Sequence, residues 1–471
     1  MTIRFISLLF TTMMFILNAD CQRIQLSSPI GKVDDSNYQL VDKLADSLIV
    51  INQIGNKIIV ESYNDSLDKF MEKTLDFSPA QQIYLLKAIS LNHEISIVYY
   101  YQRKGATYIK SRVIDSEANI LSENLILSCG GLVHFSVEDD LSISPDQRYL
   151  TFKYYSNRHM AQLICYDLVN ASVHWRKQIT ASNLCFDKHY KKIITNNLGQ
   201  SFMMCHRFIQ AQKESYVYIF EFDADSIDHA YTLDMRGKRL GDFNISYDHL
   251  HAAVMVIGFY GESSYYAGGI FSARFAESET YKKAIFNDFD QALMRSFTGK
   301  KKSNVKGLHN IYIDDVILRK DGGALIVSEQ HFVYEKQYSD RGDQQVYQHK
   351  ADFLYENILL TSIHPSGELH WNEVLHKSQS SEDDEGRYSS FFLFKTNRSI
   401  RFVYNNDIRR GTSIFEYVVQ GNGEVQRNVL SHQLKGNHLL PNFKNSIQTS
   451  ANEMVVLSES NRKWRLMQIN Y

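Results

Sequence analysis

Residues 144–175 read SPDQRYLTFKYYSNRHMAQLICYDLVNASVHW. Two runs stand out, RYLTFKYYS (148–156) and AQLICYDLV (161–169). Both are dense in Tyr, Phe, Leu, Ile and Val, the residue types that suit extended chain. A short polar break separates them, which predicts an antiparallel hairpin. Ser144-Pro-Asp-Gln-Arg-Tyr149 forms a turn before the first run. Asn170-Ala-Ser-Val-His-Trp175 forms another after the second and leads into a further strand.

The same unit recurs in both directions along the chain. Earlier pairs are SLIVINQ (47–53) with KIIVESY (57–63), and ISIVYYYQ (95–102) with ATYIKSRVID (106–115). Next come KKIITNN (191–197), SFMMCHRF (201–208) and SYVYIFEFD (215–223). AAVMVIGFY (252–260) pairs with GGIFSARF (268–275), and GALIVSEQ (323–330) with ENILLTSIH (356–364). The last two are SIRFVYNN (399–406) with SIFEYVVQ (413–420), and EMVVLSES (453–460) with KWRLMQIN (463–470). A repeat of roughly 55 residues built only from antiparallel strands predicts an all-β fold, a β-propeller rather than two β domains. Runs such as IVYYY and VYIFEF are nearly continuous because a blade is covered on both faces. Eight hairpins predict eight blades, with seven as the alternative because the first and last units are incomplete. The last unit ends at Tyr471 without an outer strand, and QRIQLSS (22–28) is the candidate to supply it. The SPDQRY turn is similar to the SPDG-R-x turn of propeller blades.

Composition agrees with such packing. The 471 residues are 44% hydrophobic and 13% aromatic, with 29 Tyr, 27 Phe, 23 Gly and 5 Pro, which excludes disordered and collagen-like chains. A net charge of −2 argues against a general nucleic-acid binder. Mean hydropathy of −0.32 excludes a multi-span membrane protein.

Residues 1–21 read as a signal peptide, with Arg4 before the apolar run FISLLFTTMMFIL (5–17). Residues 22–471 are then one propeller domain with no transmembrane segment. Cys21 raises the competing reading of a lipoprotein, but Asp20 stands where a lipobox wants a small residue. Expected localisation is therefore export, to the periplasm or the medium. Cys129, Cys165, Cys185 and Cys205 allow three full disulfide pairings, and spacing does not choose among them.

Three segments interrupt the repeat. Phe286, Phe289, Leu293, Met294 and Phe297 recur at helical spacing and predict one amphipathic helix over 286–298, followed by a basic segment through Lys306. It reads as a crossover helix covering a blade edge, or as a contact element for an acidic partner. A second insertion, 331–354, is polar, Tyr-rich and contains Arg341-Gly-Asp343. The third, 377–388, carries the carboxylates Glu382 to Glu385, which lack the alternating spacing of a calcium loop.

From about Ile311 to Asn406 the chain resembles a family of secreted Bacteroidota proteins of uncharacterised function. The resemblance lies in Asp321-Gly-Gly-Ala-Leu-Ile-Val-Ser-Glu-Gln330, a Gly-Glu-Leu-His-Trp turn (367–371), Lys377-x-Gln379-Ser, Ser389-Ser390 and Tyr404-Asn-Asn406. It implies envelope export and a propeller-like fold, and supplies no catalytic residues. The candidate binding residues from these segments are Glu329, Gln330, Lys377, Gln379, Asp383, Asp384, Asn405 and Asn406.

The motif search returns no chemistry. There is no G-x-S-x-G elbow, P-loop or HExxH helix, and no metal or cofactor signature. The expected function is an exported envelope propeller that binds or assembles a protein or glycan, alone or within a complex. The alternative is a carbohydrate-active hydrolase or lyase using carboxylates in the central cleft.

Overall fold

The computed structural model describes residues 23–34, 37–44, 46–77, 82–224, 229–276, 279–299, 304–339, 347–408, 413–431 and 439–471. The predicted signal peptide and the Arg341-Gly-Asp343 tip lie outside them. Each hairpin read from the sequence is the middle pair of four antiparallel strands, and the sheets of blades 4, 6 and 8 each carry a fifth, of which Tyr281–Lys283 pairs in parallel with His229–Asp234 of blade 4. The sheets span residues 37–76, 83–130, 141–180, 190–234, 239–288, 311–375 and 391–431, here blades 1 to 7. Blade 8 uses residues 440–470 for three strands and Arg23–Leu26 for its outermost, with Arg23 opposite Asn470 and Leu26 opposite Met467. The inner strand of blade 8, Leu440–Gln448, lies against that of blade 1, Asn37–Leu44. The chain is thus an eight-bladed β-propeller, closed by its N-terminal strand.

Packing between blades explains the near-continuous apolar runs. In blade 5, Val254 and Val256 face blade 4, where they meet Val217, Ile219 and Leu233. Met255, Ile257 and Phe259 point the other way, onto Ile326 and Leu359 of blade 6. Alternate residues serve opposite neighbours, so no position on the strand is free to be polar. Gly258 sits in this run because a Cβ there would fall 2.1 Å from Phe243 Cβ.

The inner strands of blades 1, 2, 4, 5, 6 and 8 each carry a bulge. An extra residue twists the strand and re-aims its side chains. At these bulges lie Lys87, Lys192, Asp242, Asp314 and Lys444, which turns the axis into a charged channel. Neighbouring blades are tied around it. Lys192 donates to Asn244 at 2.8 Å, Asp242 accepts from the Ile313 amide at 2.7 Å, and Lys395 pairs with Asp315 at 2.6 Å.

The insertions differ in detail from expectation. The helix covers Gln291–Thr298 only, because the Asp290 side chain caps it by accepting from the Leu293 amide and Gly299 ends it in the left-handed region. Phe286 instead lies in the outer strand of blade 5, opposite Phe271. The helix buries Met294 and Phe297 and packs along Leu369–Leu375, the outer strand of blade 6. The 331–354 insertion is not a separate loop but an extension of the two middle strands of blade 6, Ala324–Ser339 and Tyr347–Ile363. Cys129, Cys165, Cys185 and Cys205 are free thiols.

Strand direction places these departures on one face. The turns joining the second and third strands, and the links from one blade to the next, emerge together there. That face carries the blade 6 extension, the helix and the 377–388 segment.

Candidate functional site

Blade 6 and the segment after it build a buried polar network. Glu329 ends the apolar run ALIVSEQ, opposite Tyr312 on the inner strand. Residues 379–382 return as a short strand along the blade 6 extension, with Gln379 opposite Tyr355. This return brings Lys377 Nζ to 2.5 Å from Glu329 Oε1, with both side chains sealed from solvent. Lys377 also donates to Gln379 Oε1 at 2.8 Å, and Ser390 Oγ donates to Glu329 Oε2 at 2.6 Å. Gln379 donates onward to the Asn405 carbonyl at 2.7 Å, and the Asn405 side chain donates to the carbonyls of Tyr388 and Pro441 at 2.8 Å. The cluster therefore links blades 6, 7 and 8. Burial pulls the Lys377 ammonium below the usual lysine range, and Glu329 opposes that shift.

Four of the eight residues singled out in the sequence, Glu329, Lys377, Gln379 and Asn405, meet in this network. The other four stand apart. Gln330 donates to the His309 carbonyl at 2.9 Å. Asp383 exchanges backbone and side-chain hydrogen bonds with Ala351, and Asp384 accepts from Ser381 Oγ at 2.6 Å, so both acids shape their turn. Asn406 accepts from Arg427 at 2.8 Å.

Asp314, at the blade 6 bulge, is reached by solvent yet enclosed by protein, as the wall of the channel requires. That enclosure holds its carboxyl well above the usual carboxylate range, and Glu329 adds to the effect. Asp242, on the neighbouring inner strand, is also raised by burial. Between blades 1, 2 and 8 lies a cavity of about 330 Å³ lined in part by Lys87 and Lys444.

Above the network runs a row of rings. His331 lies 4.3 Å from Tyr312 and is stacked on Tyr355 at 5.1 Å. Lys444 donates to the Tyr355 hydroxyl at 2.7 Å and covers its ring at 4.2 Å. Burial lowers the His331 pKa, against an opposing effect of Glu329. Tyr312 is 41% exposed, and across a groove of about 80 Å³ stands Tyr265, 78% exposed. Val333 and Tyr334 are exposed on the blade 6 extension above it. Sequence reading passed over Asp314, His331, Tyr312 and Tyr355. Their signal was weak, since a bulge shows only once strands are paired.

No family model matches this chain, and no curated protein matches it. Among solved structures it is similar to the β-propeller domain of the Trilobed protease from Pyrococcus furiosus, at 9% identity and a TM-score of 0.38, covering 88% of this chain and 99% of that one. The Dos1 propeller matches at 9% identity and a TM-score of 0.33, over 80% of this chain and 89% of that one. Prolyl oligopeptidase B from Galerina marginata matches at 8% identity and 0.39, over 92% of this chain and 55% of that one. Similarity this low says nothing of activity.

Proposed function

We propose that this protein is an exported cell-envelope propeller that binds an envelope protein or glycan and performs no chemistry on it. One observation carries the reading: three exposed tyrosines gather on a single face, while the exposed Phe70 and Tyr281 lie singly on outer-edge strands. Tyr265, Tyr312 and Tyr334 stand there beside the ringed channel mouth. Aromatic side chains provide large contact area at small entropic cost, and clusters of exposed apolar surface mark interaction sites. The Glu329–Lys377 network supports the same reading, since its groups are consumed in joining blades. Export rests on the apolar run of residues 5–17.

The test is affinity capture from envelope fractions with the mature protein, against a variant carrying Tyr265→Ala, Tyr312→Ala and Tyr334→Ala. A reproducible partner or glycan held by the parent and lost by the variant supports the proposal. Equal capture by both proteins overturns it. Terminal sequencing of the secreted chain checks export, with Gln22 or Asp20 expected as the first residue.

A second reading, the carbohydrate-active hydrolase or lyase, is favoured by Asp314. A carboxyl whose pKa is raised by its surroundings has the property of a general acid, and Asp242 offers a second raised carboxyl on the next blade. Turnover of any envelope glycan that disappears with Asp314→Asn establishes this reading in place of the first.

A further inference from the structure

We infer that a cleft between blades 4 and 5, on the same face but away from the axis, is a second binding site, and that its ligand is an acidic oligosaccharide. The cleft has a volume of about 610 Å³, within the range of small-ligand sites. Four cations line it: Lys213 on the blade 4 hairpin tip, Lys238 and Arg239 where blade 5 begins, and Lys306 after the helix. Among the described residues none of the four makes an ion pair or a side-chain hydrogen bond. Two carboxylates share the wall, Glu262 and Asp288, and Asp288 already accepts from the Tyr260 hydroxyl.

The wall is built rather than incidental. Gly237 has φ +71°, and a Cβ there would fall 2.4 Å from the Lys213 carbonyl oxygen, so glycine lets the hairpin tip close onto blade 5. Gln291 donates to the Val305 carbonyl at 3.0 Å and accepts from its amide at 3.1 Å, which fixes the backbone beside Lys306. The Arg239 guanidinium lies 3.9 Å from the centre of the Phe208 ring, and the Lys238 ammonium 5.4 Å from that of Tyr260. Aromatic faces hold these cations in place without neutralising them. Unpaired positive charge around a cleft draws anions.

The mixture of charges selects the ligand class. A uniformly anionic chain such as a phosphate backbone meets repulsion from Glu262 and Asp288. An acidic sugar carries acid groups for the cations and hydroxyl donors for those two carboxylates. An acidic peptide supplies the acid groups but few hydroxyls.

Calorimetric titration of the purified protein tests the inference with four probes: a galacturonate hexamer, a heparin-derived hexasaccharide, maltohexaose and hexaglutamate. At least one acidic saccharide is expected to bind, maltohexaose is not, and tighter binding of the heparin fragment than of galacturonate would show that sulfate adds to what carboxylate alone provides. Binding should weaken at least about tenfold when salt rises from about 50 to about 300 mM. It should weaken by about as much again in Lys238→Ala/Lys306→Ala, whose exposed positions leave the thermal midpoint unchanged. It should persist in the Tyr265→Ala/Tyr312→Ala/Tyr334→Ala variant, which separates this site from the aromatic face. Absence of binding by both acidic saccharides, unchanged binding by the lysine variant, or hexaglutamate binding as tightly as the saccharides overturns the inference.

Discussion

Lys377 Nζ stands 2.5 Å from Glu329 Oε1 with neither side chain reached by solvent. A buried pair of this kind is costly to break from one side, because the remaining charge has no water to turn to. Lys377→Met should lower unfolding free energy by about 3–5 kcal/mol. The double change Glu329→Leu/Lys377→Met should recover most of that, leaving a deficit from Ser390 Oγ, which then loses its acceptor. Denaturant unfolding of both variants and of Glu329→Leu closes the cycle. Additive losses would mean that the two residues are not coupled.

Closure of the ring at the N-terminal strand sets a second expectation. Ile24 and Leu26 are half-buried against blade 8, and Ser27 exchanges hydrogen bonds with Leu466. Removing residues 22–28 should cost roughly 2–4 kcal/mol from those two side chains alone and leave an open strand edge. The truncated protein should therefore also self-associate, as read by light scattering. Ser27→Ala should cost only about 1 kcal/mol. An unfolding midpoint unaltered by the truncation would show that blade 8 holds without its fourth strand.

The thiols provide a third. Burial pushes Cys165 and Cys205 up to about 12, so neither forms thiolate at neutral pH. Cys185 is partly exposed, and its Sγ donates to Asp187 Oδ1 at 2.8 Å, which raises its pKa. Iodoacetamide on the native protein should modify Cys185 before Cys129, Cys165 or Cys205, and slowly. Asp187→Asn should speed that reaction several-fold, because the acceptor carboxylate is gone. Peptide mapping by mass spectrometry decides it, and early labelling of Cys205 would contradict the packing.

What the sequence displays follows from how many neighbours a residue has. The eight hairpins were legible because each is covered on both faces, so Val254 through Phe259 had to be almost wholly apolar. Phe286 was misplaced because i, i+3 spacing in so short a stretch suits a strand followed by a helix as well as one helix. Glu329, Lys377, Gln379 and Asn405 were singled out because they stand in the segments that carry the resemblance. That they meet was not visible, since it depends on residues 379–382 folding back along blade 6. Asp314 was hidden for a related reason. Its position on the axis comes from a bulge, and a bulge is a property of two paired strands.

Asp314 itself carries the fourth prediction, a dependence of stability on pH. Its folded-state pKa is raised above the unfolded value, first by enclosure and then by Glu329. Between those two values the folded protein binds more protons than the unfolded chain, so stability falls as pH rises through that window. Below the unfolded carboxylate range both states are protonated and the penalty vanishes. Asp314→Asn keeps a similar shape and cannot ionise. The variant should therefore unfold at a higher temperature than the parent at neutral pH, and the gap should close as pH falls toward about 4. Asp315, one residue away, is paired with Lys395, and Asp315→Asn should instead lower the midpoint slightly at neutral pH. Thermal scans of the three proteins across this range separate the two carboxyls. A gap between parent and Asp314→Asn that stays constant with pH would mean that Asp314 ionises in the channel as freely as in water.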